Sequence, residues 1–317
     1  MAAALATDDL TKDYRVGFWR TRPYRALDAL TLQVQPGEVF GFLGPNGAGK
    51  TTTLKILMGL VFPTSGRAEM FGRPVGDLHV KRRLGYLPEQ PYFYDYLTAE
   101  ELLIYFAGLF GYRGADRRAR ASAVLDEVEI GAERRRPLRT FSKGMLQRVG
   151  IAQALVNDPE LVILDEPMSG LDPLGRRAVR ALILALRDRG STVFFSSHVL
   201  SDAEALCSRV AILARGRLVT EGRLAEMLEF QVRGWDVVVA GVTPALQAAL
   251  AARATRMTAI GDGRCAVELP SMYSPETIAA DVASAGASIV SINPIRATLE
   301  DLFVQQVADA ARQVERR

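Results

Sequence analysis

Residues 44–51 read Gly44-Pro45-Asn46-Gly47-Ala48-Gly49-Lys50-Thr51, and no other segment limits the fold as tightly. The octet satisfies G-x-x-x-x-G-K-[ST] and lies between an apolar run, VFGFL at 39–43, and a helical run at 50–60. A chain that goes strand, glycine turn, helix can aim several backbone N–H groups at one point. The helix adds the positive end of its dipole there. Gly44, Gly47 and Gly49 permit the tight curl, so the segment reads as a cradle for a polyphosphate. Lys50 can reach the β- and γ-phosphates, the Thr51 hydroxyl can ligate Mg²⁺, and Pro45, Asn46, Ala48 and Thr52 complete the phosphate-binding set. Only five of the 39 basic residues are lysines, so a lysine at this position is not filler.

The rest of the chain agrees with a layered α/β fold. Strand signals recur at 67–71, 84–87, 160–164, 192–195 and 210–213, after an alternating strand at 30–34 and the apolar one at 39–43. Helical stretches lie between them; in 175–189, Val179, Leu182, Ile183 and Leu186 form one stripe fit to pack on a sheet. Strands alternating with helices indicate a mainly parallel sheet. Residues 98–156 carry helical patterns without a convincing strand and read as a helical insertion, with the arginine runs at 117–120 and 134–136 as solvated faces. From Trp235 the order becomes β-α-β-β-α-β, a ferredoxin-like split motif. A last helix begins near Leu299, with Leu299, Leu302, Phe303, Val307 and Ala310 on one face. A boundary is therefore placed at 228–234, giving domains at 1–228 and 235–317.

Composition narrows the class. With 317 residues, 49% hydrophobic and 24% charged, the chain is neither disordered nor a rod, and it is long enough for two domains. A net charge of +3 is too balanced to argue for nucleic acid. Cys207 and Cys265 stand alone, and His79 and His198 are the only histidines, so neither a disulfide framework nor a His-rich metal site is expected. The greasy stretches at 102–112 and 237–252 are too short or interrupted to span a membrane, and Asp8 interrupts any secretory leader. A cytosolic chain is expected, any membrane part being a separate one.

A second element of chemistry reads ELVILDEP at 160–167. Four apolar residues make a buried strand that ends in two carboxylates, and adjacent strand residues face opposite ways. Asp165 suits a water-mediated hold on Mg²⁺, and Glu166 suits orienting and deprotonating an attacking water.

These residues resemble the nucleotide-binding subunit of an ABC transporter. FSKGM at 141–145 stands where that family carries its signature, Ser169-Gly170-Leu171-Asp172 resembles its D-loop, and His198 in FFSSHVL resembles its switch histidine. The resemblance covers roughly residues 5–225. It implies a P-loop ATPase core that binds ATP and Mg²⁺ and works as a head-to-tail dimer. Each ATP would sit between one copy's phosphate loop and the signature of the other copy. Ser142, Lys143, Gly144 and Asp172 would thus meet the nucleotide, while Ser142 alone also reads as a plain helix N-cap.

The family's glutamine-loop position falls on Glu89 rather than Gln90; Glu89 is taken as sensor, and both are candidate Mg²⁺ ligands. Tyr14 is chosen to stack on adenine, with Phe18, Trp19 and Tyr24 as alternatives. The aromatic run PYFYDYL at 91–97 reads either as insertion core or as the groove that receives an integral membrane subunit. With TLEDLF near the C-terminus, the resemblance points to the exporter branch for drugs, lipids, polysaccharides or antibiotics, peripheral on the cytoplasmic face of the membrane. The alternative is a soluble ABC ATPase acting on ribosomes or DNA. No nucleic-acid partner is otherwise expected, and the small C-terminal domain reads as scaffolding.

Overall fold

The structure, a computed structural model, describes residues 3–17, 22–227, 232–296 and 298–303. These divide into two compact units, one up to Leu224 and one from Ala225 onward.

The first unit opens with β1 (Leu5–Val16) and β2 (Arg22–Val34), which pair antiparallel. Next come β3 (Val39–Leu43) and α1 (Lys50–Leu57), then β4 (Ser65–Met70), β5 (Arg73–Pro74), α2 (Leu78–Arg82) and β6 (Leu84–Leu87). Three helices follow: α3 (Ala99–Leu109), α4 (Gly114–Glu127) and α5 (Lys143–Leu155). The chain then runs β7 (Leu161–Asp165), α6 (Pro173–Asp188), β8 (Thr192–Ser197), α7 (Leu200–Leu206), β9 (Arg209–Ala214) and β10 (Arg217–Arg223). The short helix α8 spans Leu224–Met227.

Two sheets result. The larger has the order β10-β9-β3-β8-β7-β6, parallel throughout except for the antiparallel edge strand β10. The smaller, β2-β1-β4-β5, is antiparallel. Every residue of β3, β7 and β8 is buried, which explains why those strands read as apolar runs without alternation. Phe40 and Phe42 of β3 pack on Phe194 of β8 with ring centroids 5.7 and 5.2 Å apart. One core cluster joins these rings to Leu54, Ile56 and Leu57 of α1 and to Leu5, Leu10, Leu27 and Leu30 of the antiparallel sheet. Parallel order with helical crossovers brings the carboxyl ends of β3, β7 and β8 side by side, where such sheets hold ligands.

Three sequence expectations need correction here. The alternating strand expected at 30–34 is only the end of β2, and β1 was not anticipated. Register shifts break their alternation, and Asp9 and Ala29 have left-handed backbone. Helix α1 stops at Leu57 rather than residue 60 because Gly59 turns the chain at φ +69. Finally, the arginine runs are not simply solvated. Arg120 donates to the carbonyls of Leu155 and Val156 at the end of α5, Arg117 to Ile104 in α3, and Arg134 to Gly131, Ser122 and Asp126. Their stems and forks staple the helical insertion together.

The second unit consists of β11 (Val232–Ala240), α9 (Pro244–Ala251), β12 (Arg256–Gly261), β13 (Arg264–Pro270), α10 (Pro275–Ser284) and β14 (Ser288–Arg296). Its sheet has the order β12-β13-β11-β14, antiparallel throughout. Val237 and Val239 of β11, Val267 of β13, Leu246 and Leu250 of α9, and Ile278 and Val282 of α10 form its core. Leu299 is buried and Leu302 and Phe303 half-buried, while Val307 and Ala310 lie outside the described residues. Among the described residues, no helix is long and apolar enough to cross a membrane.

Candidate nucleotide-binding site

The glycine loop leaves the end of β3 and enters α1 at Lys50. Gly49 is the N-cap of α1 with φ +109, and no side chain caps the helix nor does an acidic residue occupy its first turn. The first-turn N–H groups are thus left for an anionic ligand. A Cβ at Gly49 would stand 2.7 Å from the Ala26 carbonyl oxygen, so the close approach requires glycine. The loop floors a cleft of about 370 Å³ lined by Pro45, Asn46, Gly47, Ala48, Gly49, Lys50, Thr51 and Thr52, together with Tyr14, Tyr24, Ala26, Glu89, Glu166, Ser169 and His198. Gly44 lies behind it, its carbonyl accepting from Lys50 Nζ at 2.6 Å.

The carboxylates arrive from the neighbouring strands. Asp165 closes β7, 2% exposed, and accepts from the Ser196 hydroxyl at 2.6 Å. Burial holds the Asp165 carboxyl above its ordinary range; the Ser196 hydrogen bond opposes this, and repulsion from Glu89 and Glu166 adds to it. Glu166 steps out of the strand into left-handed backbone, φ +50. Its Oε1 lies 3.4 Å from Lys50 Nζ, and its Oε2 lies 2.8 Å from His198 Nδ1. One carboxylate is therefore held between a lysine and a histidine at the floor of a polyphosphate cradle.

Tyr14 and Tyr24 are cross-strand partners in the β1–β2 pair, and both reach the cleft. Lys12 Nζ stands 5.1 Å from the Tyr14 ring centroid and also donates to the Phe62 carbonyl at 2.7 Å. Tyr24 is 52% exposed. Arg25 forks onto Asp13 and tethers the same pair of strands. Phe18 and Trp19 lie outside the described residues.

Asp165, buried at the end of β7, does not itself line the cleft, and five further expected residues stand apart from it. Gln90 does not line it, whereas Glu89 does. Ser142 caps α5, accepting from the Met145 N–H at 3.3 Å, and Asp172 caps α6, accepting from the Gly175 N–H at 2.8 Å. Lys143 Nζ lies over Gly170, in the space a side chain there would need. Gly144 follows in the first turn of α5. In the aromatic run, Tyr92, Tyr94 and Tyr96 are exposed and Phe93 is half-buried.

Sequence reasoning missed Ser196 and Ala26 as parts of the site, and singled out Ser169 only as the start of the D-loop segment. The signal for Ser196 was its place two residues before His198 in a strand aligned with 161–165.

A family model described as ABC transporter matches residues 27–169. An ABC transporter ATP-binding protein of Synechocystis is 44% identical over 310 residues, covering 97% of this chain and 86% of the relative. A bacitracin transport ATP-binding protein of Bacillus licheniformis is 41% identical, with 73% of this chain and 76% of the relative covered. The solved structure of a dimeric ATP-binding cassette in a post-hydrolysis state, bound to ADP and Pi, matches with a TM-score of 0.63 at 29% identity. That match spans 69% of this chain and 98% of the other. The chain belongs to the ABC transporter family, as one of its ATP-binding, ATP-hydrolysing subunits.

Proposed function

We propose that this subunit powers an exporter whose membrane-embedded part is a separate chain. The observation that carries the hydrolytic part of this reading is the clamped Glu166 carboxylate, 3.4 Å from Lys50 and 2.8 Å from His198, inside the glycine-lined cleft. A triphosphate entering that cleft competes with Glu166 and Gly44 for the Lys50 ammonium, which frees Glu166 to orient and deprotonate a water. His198, its Nδ1–H given to Glu166, can donate from its second ring nitrogen to a γ-phosphate oxygen only as the imidazolium, since the neutral ring has its one hydrogen committed to the carboxylate. Tyr14 or Tyr24 would stack on the base.

Mg²⁺, when bound, neutralises phosphate charge and polarises the transferring group. The residues present fit it: Thr51 lies on the cleft, and the repulsion that Glu89 and Glu166 impose on Asp165 is of the kind a divalent cation relieves. Thr51 and Asp165 would hold the ion, with Glu89 closer to the task than Gln90.

Ser142, Lys143, Gly144 and Asp172 lie away from the cleft of their own chain, as a head-to-tail pair of copies would require, with one copy's signature segment covering the other's phosphate loop. The exposed tyrosines of 91–97 suit docking of the membrane subunit. The bacitracin transport and Nod factor export relatives support an export role over a ribosome- or DNA-directed ATPase. Peripheral attachment at the cytoplasmic membrane face goes with this reading. The region 235–317 serves as an accessory ferredoxin-like domain, a reading supported by its antiparallel β-α-β-β-α-β order.

The test is hydrolysis of Mg-ATP by the purified chain alone and with its membrane partner. Turnover, lost in Glu166→Gln with nucleotide binding retained, is expected; absence of nucleotide binding by the parent chain contradicts the proposal.

A further inference from the structure

Ser196 is fully buried in β8, in register with Asp165 of β7. Its hydroxyl donates to Asp165 Oδ1 at 2.6 Å, and the same oxygen accepts the backbone N–H of Glu166 at 3.0 Å. A serine has one hydroxyl hydrogen and two lone pairs, so this pairing satisfies one acceptor and one donor that are both cut off from water.

Of the two, Glu166 needs restraint. Its φ of +50 lies in the left-handed region, which costs a non-glycine residue free energy unless neighbours hold it there. That turn is also what aims its carboxylate at Lys50 and His198 rather than along the strand alternation. The N–H anchored on Ser196 belongs to the very peptide that makes the turn.

We infer that Ser196 is a positioning residue for hydrolysis, one hydroxyl that sets the Asp165 carboxylate and the Glu166 backbone relative to each other. The inference rests on the reading of Glu166 as the base, and it adds a residue that touches neither nucleotide nor water. Removing the hydroxyl leaves the fold's packing nearly intact but releases the peptide that places the base.

The experiment compares the full chain with Ser196→Ala, Ser196→Val, Ser196→Thr and Glu166→Gln. Threonine and valine match in size and differ in the hydroxyl. Melting temperature and ATP affinity in EDTA are measured beside kcat and KM. Ala and Val variants are expected to lose roughly 10- to 100-fold in kcat, with KM and metal-free ATP affinity changed by less than about threefold. Threonine is expected to recover most of the loss. Valine and threonine impaired alike, or Ala and Val at the parent rate while Glu166→Gln is inactive, would overturn the role of Ser196 alone. Glu166→Gln at the parent rate would overturn the base assignment and this inference with it.

Discussion

His198 Nδ1 lies 2.8 Å from Oε2 of Glu166, although the two residues come from different strand ends, after β8 and after β7. An ionised carboxylate only accepts, so the ring nitrogen facing it carries the hydrogen, and the imidazole is fixed in one orientation. The two side chains act as one unit, and their contributions to turnover should not add.

Glu166→Gln is expected to lower kcat by about 100-fold or more, the range for removing a general base. His198→Ala should cost roughly 10- to 100-fold, and the double variant little more than Glu166→Gln alone. Steady-state ATPase assays of the four proteins check this. Fully multiplicative losses would separate the two residues.

Tyr14 and Tyr24 face each other across β1 and β2, and both line the cleft. Replacing the ring that stacks on adenine by alanine should weaken ATP by about 1–3 kcal/mol, roughly 5- to 150-fold. Lys12 already occupies space at the Tyr14 ring, so Tyr24→Ala is expected to be the more damaging single change. Equilibrium binding of a fluorescent ATP analogue measures it; unchanged affinity in both variants would remove the strands from the base site.

Asp165 carries a cost in the nucleotide-free protein. Its carboxyl is held above the ordinary 3.8 chiefly by burial, so the folded chain binds this proton more tightly than the unfolded chain. From about pH 4 upward through the raised value, this residue therefore subtracts stability as pH rises. Asp165→Asn, which can still accept from Ser196, should melt higher than the parent at about pH 7.5, and the gain should shrink toward pH 4. It should also abolish Mg-dependent hydrolysis. Scanning fluorimetry across that pH range decides, and a variant that melts lower at neutral pH contradicts the argument.

Much of the site was legible because its chemistry is local in sequence. The run 44–51 is a loop whose glycines, lysine and threonine act through adjacent backbone, and 161–166 is a buried strand whose carboxylates sit at its end. Less was legible where the fold brings distant segments together. Ser196 looks like an ordinary strand serine until β8 is laid beside β7. Ala26 reaches the site only through the fold, which lays it on the cleft with its carbonyl against Gly49. Strand β1 and the first part of β2 escaped notice because bulges at Asp9 and Ala29 erase the period-two pattern. Arg117 and Arg120 resembled solvated charge because the carbonyls they bind belong to other helices.

Hydrolysis as proposed requires two copies to close around nucleotide, each supplying Ser142 and its neighbours to the other's cradle. Light scattering of Glu166→Gln, with and without saturating Mg-ATP, tests this directly. A dimer that forms with ATP, and is lost when Ser142→Arg is added, is the expected result. A monomer at every ATP concentration, under conditions where the variant demonstrably binds nucleotide, would contradict it.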